Sequence, residues 1–291
     1  MSTVRMWRDA GGSVRTGWKV AAFLVLSALS VVLAAVLTGM FIPVDNGQPW
    51  PVVGLAALLI LGLTRVFDRG RVGVPKRVRV GWFLAGALVG VAVVCGLAWG
   101  LMLDGVLYWL PNAAFTGSLA VSGTVYFFFA VLMEELVFRG YVLRRLAESV
   151  GPKVAVGGLA VLFGGYHLVN LGTDPSVKAG GVELVWTAAG PAIGAVVFGV
   201  AALRSGGIAL PLGLHLGWNW TQWQFFAFPA DDNPVGLWRP LVTPEHAADP
   251  IVFKVGYVVA MGVLLGVVLV VTRRGGLLGR RAAGSGVVWS I

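Results

Sequence analysis

Charge is what this chain has least of. Only 12% of its 291 residues are Asp, Glu, Lys or Arg, against about 25% in an ordinary globular domain. Too few charges are present to coat a water-soluble globule of this length. Cysteine occurs once, as Cys95, which excludes an intrachain disulfide and any cysteine-based metal site. Within its apolar run that thiol reads as a small buried apolar side chain. Histidine occurs three times. There is no serine or cysteine nucleophile motif, no H-E-x-x-H and no glycine-rich phosphate loop. No internal repeat or low-complexity stretch is visible.

What is present is hydrocarbon. Hydrophobic residues make up 57% of the chain and the mean hydropathy is +0.85. Apolar runs recur at Lys19–Phe41, Trp50–Thr64, Val80–Leu103, Gly117–Val142, Val154–Leu171, Leu184–Leu203, Gly207–Phe228 and Val252–Thr272. A helix crosses a bilayer with roughly 20 apolar residues, and only helices or closed barrels satisfy the backbone in lipid. Barrel strands would alternate in polarity, and these runs do not. The first run exceeds the apolar core of a secretory signal, about 7–15 residues, and reads as a retained span. The expectation is an all-α polytopic membrane bundle of about eight transmembrane helices.

The net charge of +9 is distributed by topology and does not point to nucleic acid. The N-terminal segment carries Arg5, Arg8 and Arg15, with Lys19 at its edge, and later basic clusters fall in every second loop and in the tail. Together these hold 19 of the 22 Lys and Arg residues. The alternate loops hold only Lys178, Arg239 and Lys254, beside acids such as Asp45, Asp104, Asp174, Asp231 and Asp232. Positive residues mark the cytoplasmic side, so both termini are expected there. Residues 1–18 are then a cytoplasmic segment, 19–272 the bundle, and 273–291 a cytoplasmic tail expected to be disordered. Trp18, Trp50, Trp82 and Trp109 lie near span ends and read as interfacial anchors. Trp218, Trp220 and Trp223 read as packing.

Against this background a few polar side chains stand out. Glu134, Glu135 and Arg139 lie on the fourth span, His167 on the fifth, and His215 and Asn219 on the seventh. His246 sits in a polar outer loop and reads as solvated. An ionised carboxylate inside a span costs roughly 2.5–3.5 kcal/mol on insertion scales, so two adjacent ones require a partner or a task. Arg139 lies four residues beyond Glu135, on the same helical face. Glu134 points elsewhere, about 100° around the helix. Measured from the nearest cytoplasmic charge at about 1.5 Å per residue, Glu134 and His215 lie about 16 Å deep and His167 about 21 Å. Three spans therefore bring polar groups to similar depth, nearer the cytoplasmic side, as one shared cavity would require.

Two chemistries fit this set. Glu134, His167 and His215 can bind Zn with water as the fourth ligand, and the metal would make that water a nucleophile. Without metal, Glu134 can act as general base on water, with His215 and Asn219 donating to the oxyanion. Either route is hydrolysis by activated water, directed at a peptide bond.

In order, Glu134-Glu135-x-x-x-Arg139, Phe163-x-x-x-His167 and His215-x-x-x-Asn219 resemble the signature of the CAAX prenyl protease and bacteriocin-processing (CPBP, or ABI) family of intramembrane proteases. The resemblance covers about residues 120–230. It implies that Glu134 activates water, that Glu135 and Arg139 support the site, and that His167, His215 and Asn219 are its remaining polar members. It leaves both a zinc and a metal-independent glutamate mechanism open. The expected function is an intramembrane endopeptidase acting on a membrane-associated protein or peptide, in a bacterial plasma membrane. The rival readings are a non-catalytic immunity or scaffold protein of the same fold, or an ion-coupled transporter with Glu134 and the histidines as relay.

Overall fold

In a computed structural model, residues 15–41, 49–68, 76–168, 181–227, 236–248 and 251–273 are described. The acids Asp45, Asp174, Asp231 and Asp232, with Lys178, lie outside these residues, as do the first fourteen residues and the tail beyond Arg273. The chain is an all-α membrane bundle. Helix α1 spans Thr16–Phe41, α2 Trp50–Asp68 and α3 Lys76–Leu103. Helix α4 spans Gly117–Glu134 and runs through a π-helical segment, Glu135–Val142, into α5, Leu143–Val150. Helix α6 spans Pro152–His167, α7 Gly181–Ser205 and α8 Ala209–Asn219, the last continuing as a second π-helical segment, Trp220–Phe225. A short α9, Pro244–Ala248, precedes α10, Ile251–Val271.

Each expected apolar run contains a helix, and among the described residues six helical stretches are long and apolar enough to cross a membrane. The stretch Trp50–Asp68 is one of them, at 19 residues. The α4–α5 stretch is the longest, at 34 residues from Gly117 to Val150. The two runs outside the six are α6, with 16 residues, and α8, with 11 before its π-helical extension. These two helices carry His167 and His215.

One feature was absent from the all-helical expectation. Strands β1, Leu107–Pro111, and β2, Trp238–Val242, pair antiparallel with Leu107 opposite Val242 and Pro111 opposite Trp238. Both follow or precede spans in loops of the same expected side. The Val106 carbonyl accepts from both the backbone N–H and the hydroxyl of Thr243, locking the ribbon's base. Pro240 is tolerated because a two-stranded ribbon consists only of edges.

The helices are brought together by glycine. Helices α3 and α8 cross with Gly86 and Gly90 facing Gly213 and Gly217, a small-xxx-small pattern on both partners. A Cβ added at Gly90 would stand 2.5 Å from the Leu214 carbonyl oxygen, and one at Gly217 would collide with the Ala87 carbonyl. Gly164 does the same for α6, where a Cβ would lie 2.6 Å from the Ala188 carbonyl of α7. The α5–α6 turn rests on Gly151, whose φ of +83° suits glycine, and Pro152 opens the next helix at its first turn.

At one end, buried Asp68 of α2 pairs with Arg144 and Arg145 of α5. Nearby, Phe23 of α1, Phe67 of α2 and Tyr141 of the first π-helical segment pack ring on ring, with centroids 4.3–5.5 Å apart. The tryptophans divide. Trp18 and Trp50 are exposed, as interfacial anchors would be, but Trp82 is only 2% exposed and belongs to the core. Its apolar ring is sequestered inside the bundle, so the anchor reading fails for that residue. Trp109 is half-buried, donates to the Ala98 carbonyl and packs on Phe226.

The glycine crossing has a direct test. Gly90→Ala lowers the stability of the detergent-purified protein by about 1–3 kcal/mol, as overpacking does. Gly96→Ala, where nothing lies within 4 Å of the new Cβ, leaves it unchanged. Equal melting temperatures for the two variants would refute the close crossing.

Candidate active site

Two carboxylates on one helix straddle one imidazole on another. Glu134 closes α4 and Glu135 opens the π-helical segment. His215 Nδ1 lies 2.9 Å from Glu135 Oε1, and its Nε2 lies 3.7 Å from Glu134 Oε2. Arg139 Nη1 donates to the same Glu135 Oε1 at 3.0 Å, with both side chains fully buried. Asn219, one turn beyond His215 on α8, places Nδ2 3.2 Å from His215 Nε2. Glu134 keeps a 16% exposed side chain, whereas Glu135 has none. The more accessible carboxylate is therefore the one without the arginine.

The hydrogen bonds define how the imidazole is used. Glu135 already accepts from Arg139, so His215 donates its Nδ1–H to that carboxylate. Nε2 is then left with a lone pair, which accepts from the Asn219 amide. A carboxylate that fixes the ring and tautomer of a histidine is a recurrent device for presenting the other nitrogen to chemistry. The presented nitrogen here faces Glu134.

His167 ends α6, where its Nδ1–H donates to the Phe163 carbonyl at 2.8 Å. That bond orients the ring and leaves Nε2 unspent. His167 joins the group through Phe163, whose ring centroid is 4.6 Å from His167 and 6.3 Å from His215. All six residues singled out in the sequence thus lie on three neighbouring helical stretches. Five share an unbroken chain of contacts, Arg139–Glu135–His215–Asn219 with Glu134 beside His215, and His167 stands one ring away. Among the described residues, no three His, Cys, Asp or Glu side chains come together as a metal ion requires. The trio Glu134, His167 and His215 does not fit zinc as it stands, and no step below is routed through a metal.

The π-helical segments bear on this geometry. Each begins immediately after a site residue, at Glu135 after Glu134 and at Trp220 after Asn219. Such wide turns cluster at functional sites because they turn side chains out of α-helical register. The second segment is pinned to α4 by two bonds, Gln224 to the Leu119 carbonyl at 3.0 Å and Trp220 to Thr124 at 2.9 Å. A side chain at Gly123 would occupy the place of the Gln224 amide. Trp220, expected to pack, is thus a tether that aligns α8 with α4. Tyr126 and Tyr166 lie within electrostatic reach of Glu134. Neither was singled out in the sequence, where tyrosines in apolar runs give no signal.

Residues 115–221 match the family described as type II CAAX prenyl endopeptidase Rce1-like. The match covers the middle of the chain and shows similarity there. The matched stretch contains Glu134, Glu135, Arg139, His167, His215 and Asn219, and it supports the resemblance to the CPBP intramembrane proteases. The six helical stretches long and apolar enough to cross a membrane fit a multi-pass membrane protein. No curated protein and no solved structure matches the chain.

Arg139→Ala should fail as a folded protein, because it strips a fully buried carboxylate of its cation, at a cost of about 3–5 kcal/mol. Arg139→Lys should recover little, since a point-like ammonium cannot reproduce the planar guanidinium. Monodispersity and thermal unfolding in detergent read both variants. A wild-type melting profile for Arg139→Ala would contradict the structural weight given to this pair.

Proposed function

We propose that this protein is an intramembrane endopeptidase that hydrolyses a peptide bond in a membrane-associated protein or peptide, with Glu134 as general base. The observation that carries the reading is the placement of Glu134 3.7 Å from His215 Nε2, partly exposed and without an arginine, beside a second glutamate that is buried and whose Oε1 is taken by Arg139 and His215. Adjacent carboxylates are given different environments, which is how one site separates a reacting group from a supporting one.

The proposed reaction runs as follows. Glu134 removes a proton from water, and the oxygen attacks the carbonyl carbon of the scissile bond. The carbonyl oxygen becomes an oxyanion, held by the Asn219 amide, with His215 and His167 as the neighbouring polar groups. When the C–N bond breaks, Glu134 returns the proton to the departing amine. The products are one new carboxyl and one new amine, and no other reactant is consumed. Groups preset toward a developing oxyanion are each worth about 10²–10³ in rate. Glu135 and Arg139 take no part in bond making and hold His215 in place.

The match to a CAAX prenyl endopeptidase family suggests a first substrate to try, a fluorogenic peptide with a farnesylated cysteine followed by three residues. The distribution of arginine and lysine supports eight crossings with both termini cytoplasmic, and the arginine-, glycine- and valine-rich composition fits a bacterial plasma membrane. That places the site toward the cytoplasmic leaflet.

Glu134→Gln should lower cleavage by at least about 10²-fold, the low end for loss of a general base, while expression and melting stay at wild-type levels. Retained cleavage in that variant would sink the assignment. Metal content separates the two chemical routes. The metal-free route expects no stoichiometric zinc and no loss of activity with a chelator. About one zinc per chain, lost in the His167→Ala/His215→Ala double variant, would overturn it.

A further inference from the structure

Arg139 is buried with too few hydrogen bonds. Its Nη1 reaches Glu135, but Nε and Nη2 are buried and have no hydrogen-bond partner among the described residues. A desolvated guanidinium with idle N–H groups is costly unless something else faces them. Two aromatic rings do. The Arg139 guanidinium carbon stands 4.4 Å from the centroid of Phe163 and 5.6 Å from that of Phe198. Both lie within the range of cation–π attraction, which strengthens when water is excluded.

Phe198 has a second contact. Its ring stacks on the His215 imidazole, with centroids 4.7 Å apart and planes inclined by only 21°. Phe198 is 3% exposed, on helix α7, which contributes none of the six polar residues. One ring therefore touches the cation that holds Glu135 and the imidazole that Glu135 orients. The hydrogen bonds at Nδ1, to Glu135, and at Nε2, from Asn219, hold the imidazole at two points, and a ring held at two points can still rock about the line between them. A parallel face beneath it removes that freedom.

We propose that Phe198 is a positioning residue for the hydrolysis. It sets the plane of His215, so that Nε2 is presented to Glu134 and Asn219, and it seats Arg139 behind Glu135. This inference rests on the reading of Glu134 as the base. What matters is the aromatic face and not simply the volume, so leucine should fail where tyrosine succeeds. Phe163 does not replace it, because its ring meets His215 edge-on at 6.3 Å and 73°.

The test uses the full-length protein in detergent, as wild type, Phe198→Leu, Phe198→Tyr and Glu134→Gln. The chain has only three histidines, so selective ¹³C labelling of histidine gives three imidazole signals. That of His215 is assigned by its loss in His215→Gln. In Phe198→Leu the His215 signal should move downfield as the ring current is lost, while those of His167 and His246 hold. In Phe198→Tyr it should stay near its wild-type position. Cleavage of the farnesylated peptide should fall about 10- to 100-fold in kcat for Phe198→Leu, the scale of a small misplacement at a reacting centre. KM should be little changed, and Phe198→Tyr should recover most of the loss. An unmoved His215 signal in Phe198→Leu would overturn the proposal, as would wild-type kcat in that variant while Glu134→Gln is inactive. Cleavage by Glu134→Gln would instead remove the reading of the base and leave the His215 signal to judge Phe198.

Discussion

The buried Glu135 carboxylate is the group around which the site is built. One of its oxygens accepts from both Arg139 and His215, at 3.0 and 2.9 Å. A lone carboxylate at this depth would be neutralised or expelled, because hydrocarbon offers it no solvation. Two cationic or donor groups on one oxygen make it tenable, and each donor in turn depends on the carboxylate. Arg139 has no other hydrogen-bonded anion among the described residues, and the His215 ring orientation follows from this contact. Removing any one of the three leaves a buried polar group without its counterpart, which is why such clusters are costly to break even where they add little net stability.

That interaction sets demands on the backbone. Glu135 and His215 come from helices far apart in sequence, so α8 must approach α4 closely and in fixed register. The glycines of α3 and α8 bring α8 into place from one side, by backbone contact that no larger residue would allow. Gln224 and Trp220 tether its continuation to α4 from the other. Lipid supplies no hydrophobic force between helices, so close van der Waals contact and interhelical hydrogen bonds must do this work. The two π-helical segments begin at the site itself, immediately after Glu134 and after Asn219, and Glu134 and Glu135 lie at opposite nitrogens of one ring. Two neighbours in a regular α-helix diverge by about 100° and could not readily straddle it.

The polar members of the site were legible because a membrane span is a quiet background. Six ionisable or amide side chains in apolar runs announce themselves, and helical rise alone placed Glu134 and His215 at equal depth. The all-α bundle followed from run length for the same reason. The aromatic members were not legible. Phe198 is one of fifteen phenylalanines, and nothing in an apolar run marks the one that lies beneath a histidine. Trp82 was misread because proximity to a span end says nothing about which face a ring takes. The β1–β2 ribbon was hidden by length, since five-residue strands containing proline carry no usable period. The π-helical turns were hidden because hydrophobic periodicity is lost where every face is apolar.

The change of helix type after Asn219 belongs to the same constraint. Helix α6 ends at His167 itself, and α8 gives way to a π-helical segment one residue after Asn219. Irregular backbone at membrane depth is tolerated only where protein or a polar cavity satisfies it. Around it, Gln224 and Trp220 donate to the Leu119 carbonyl and the Thr124 hydroxyl of α4 and hold the π-helical segment against that neighbour.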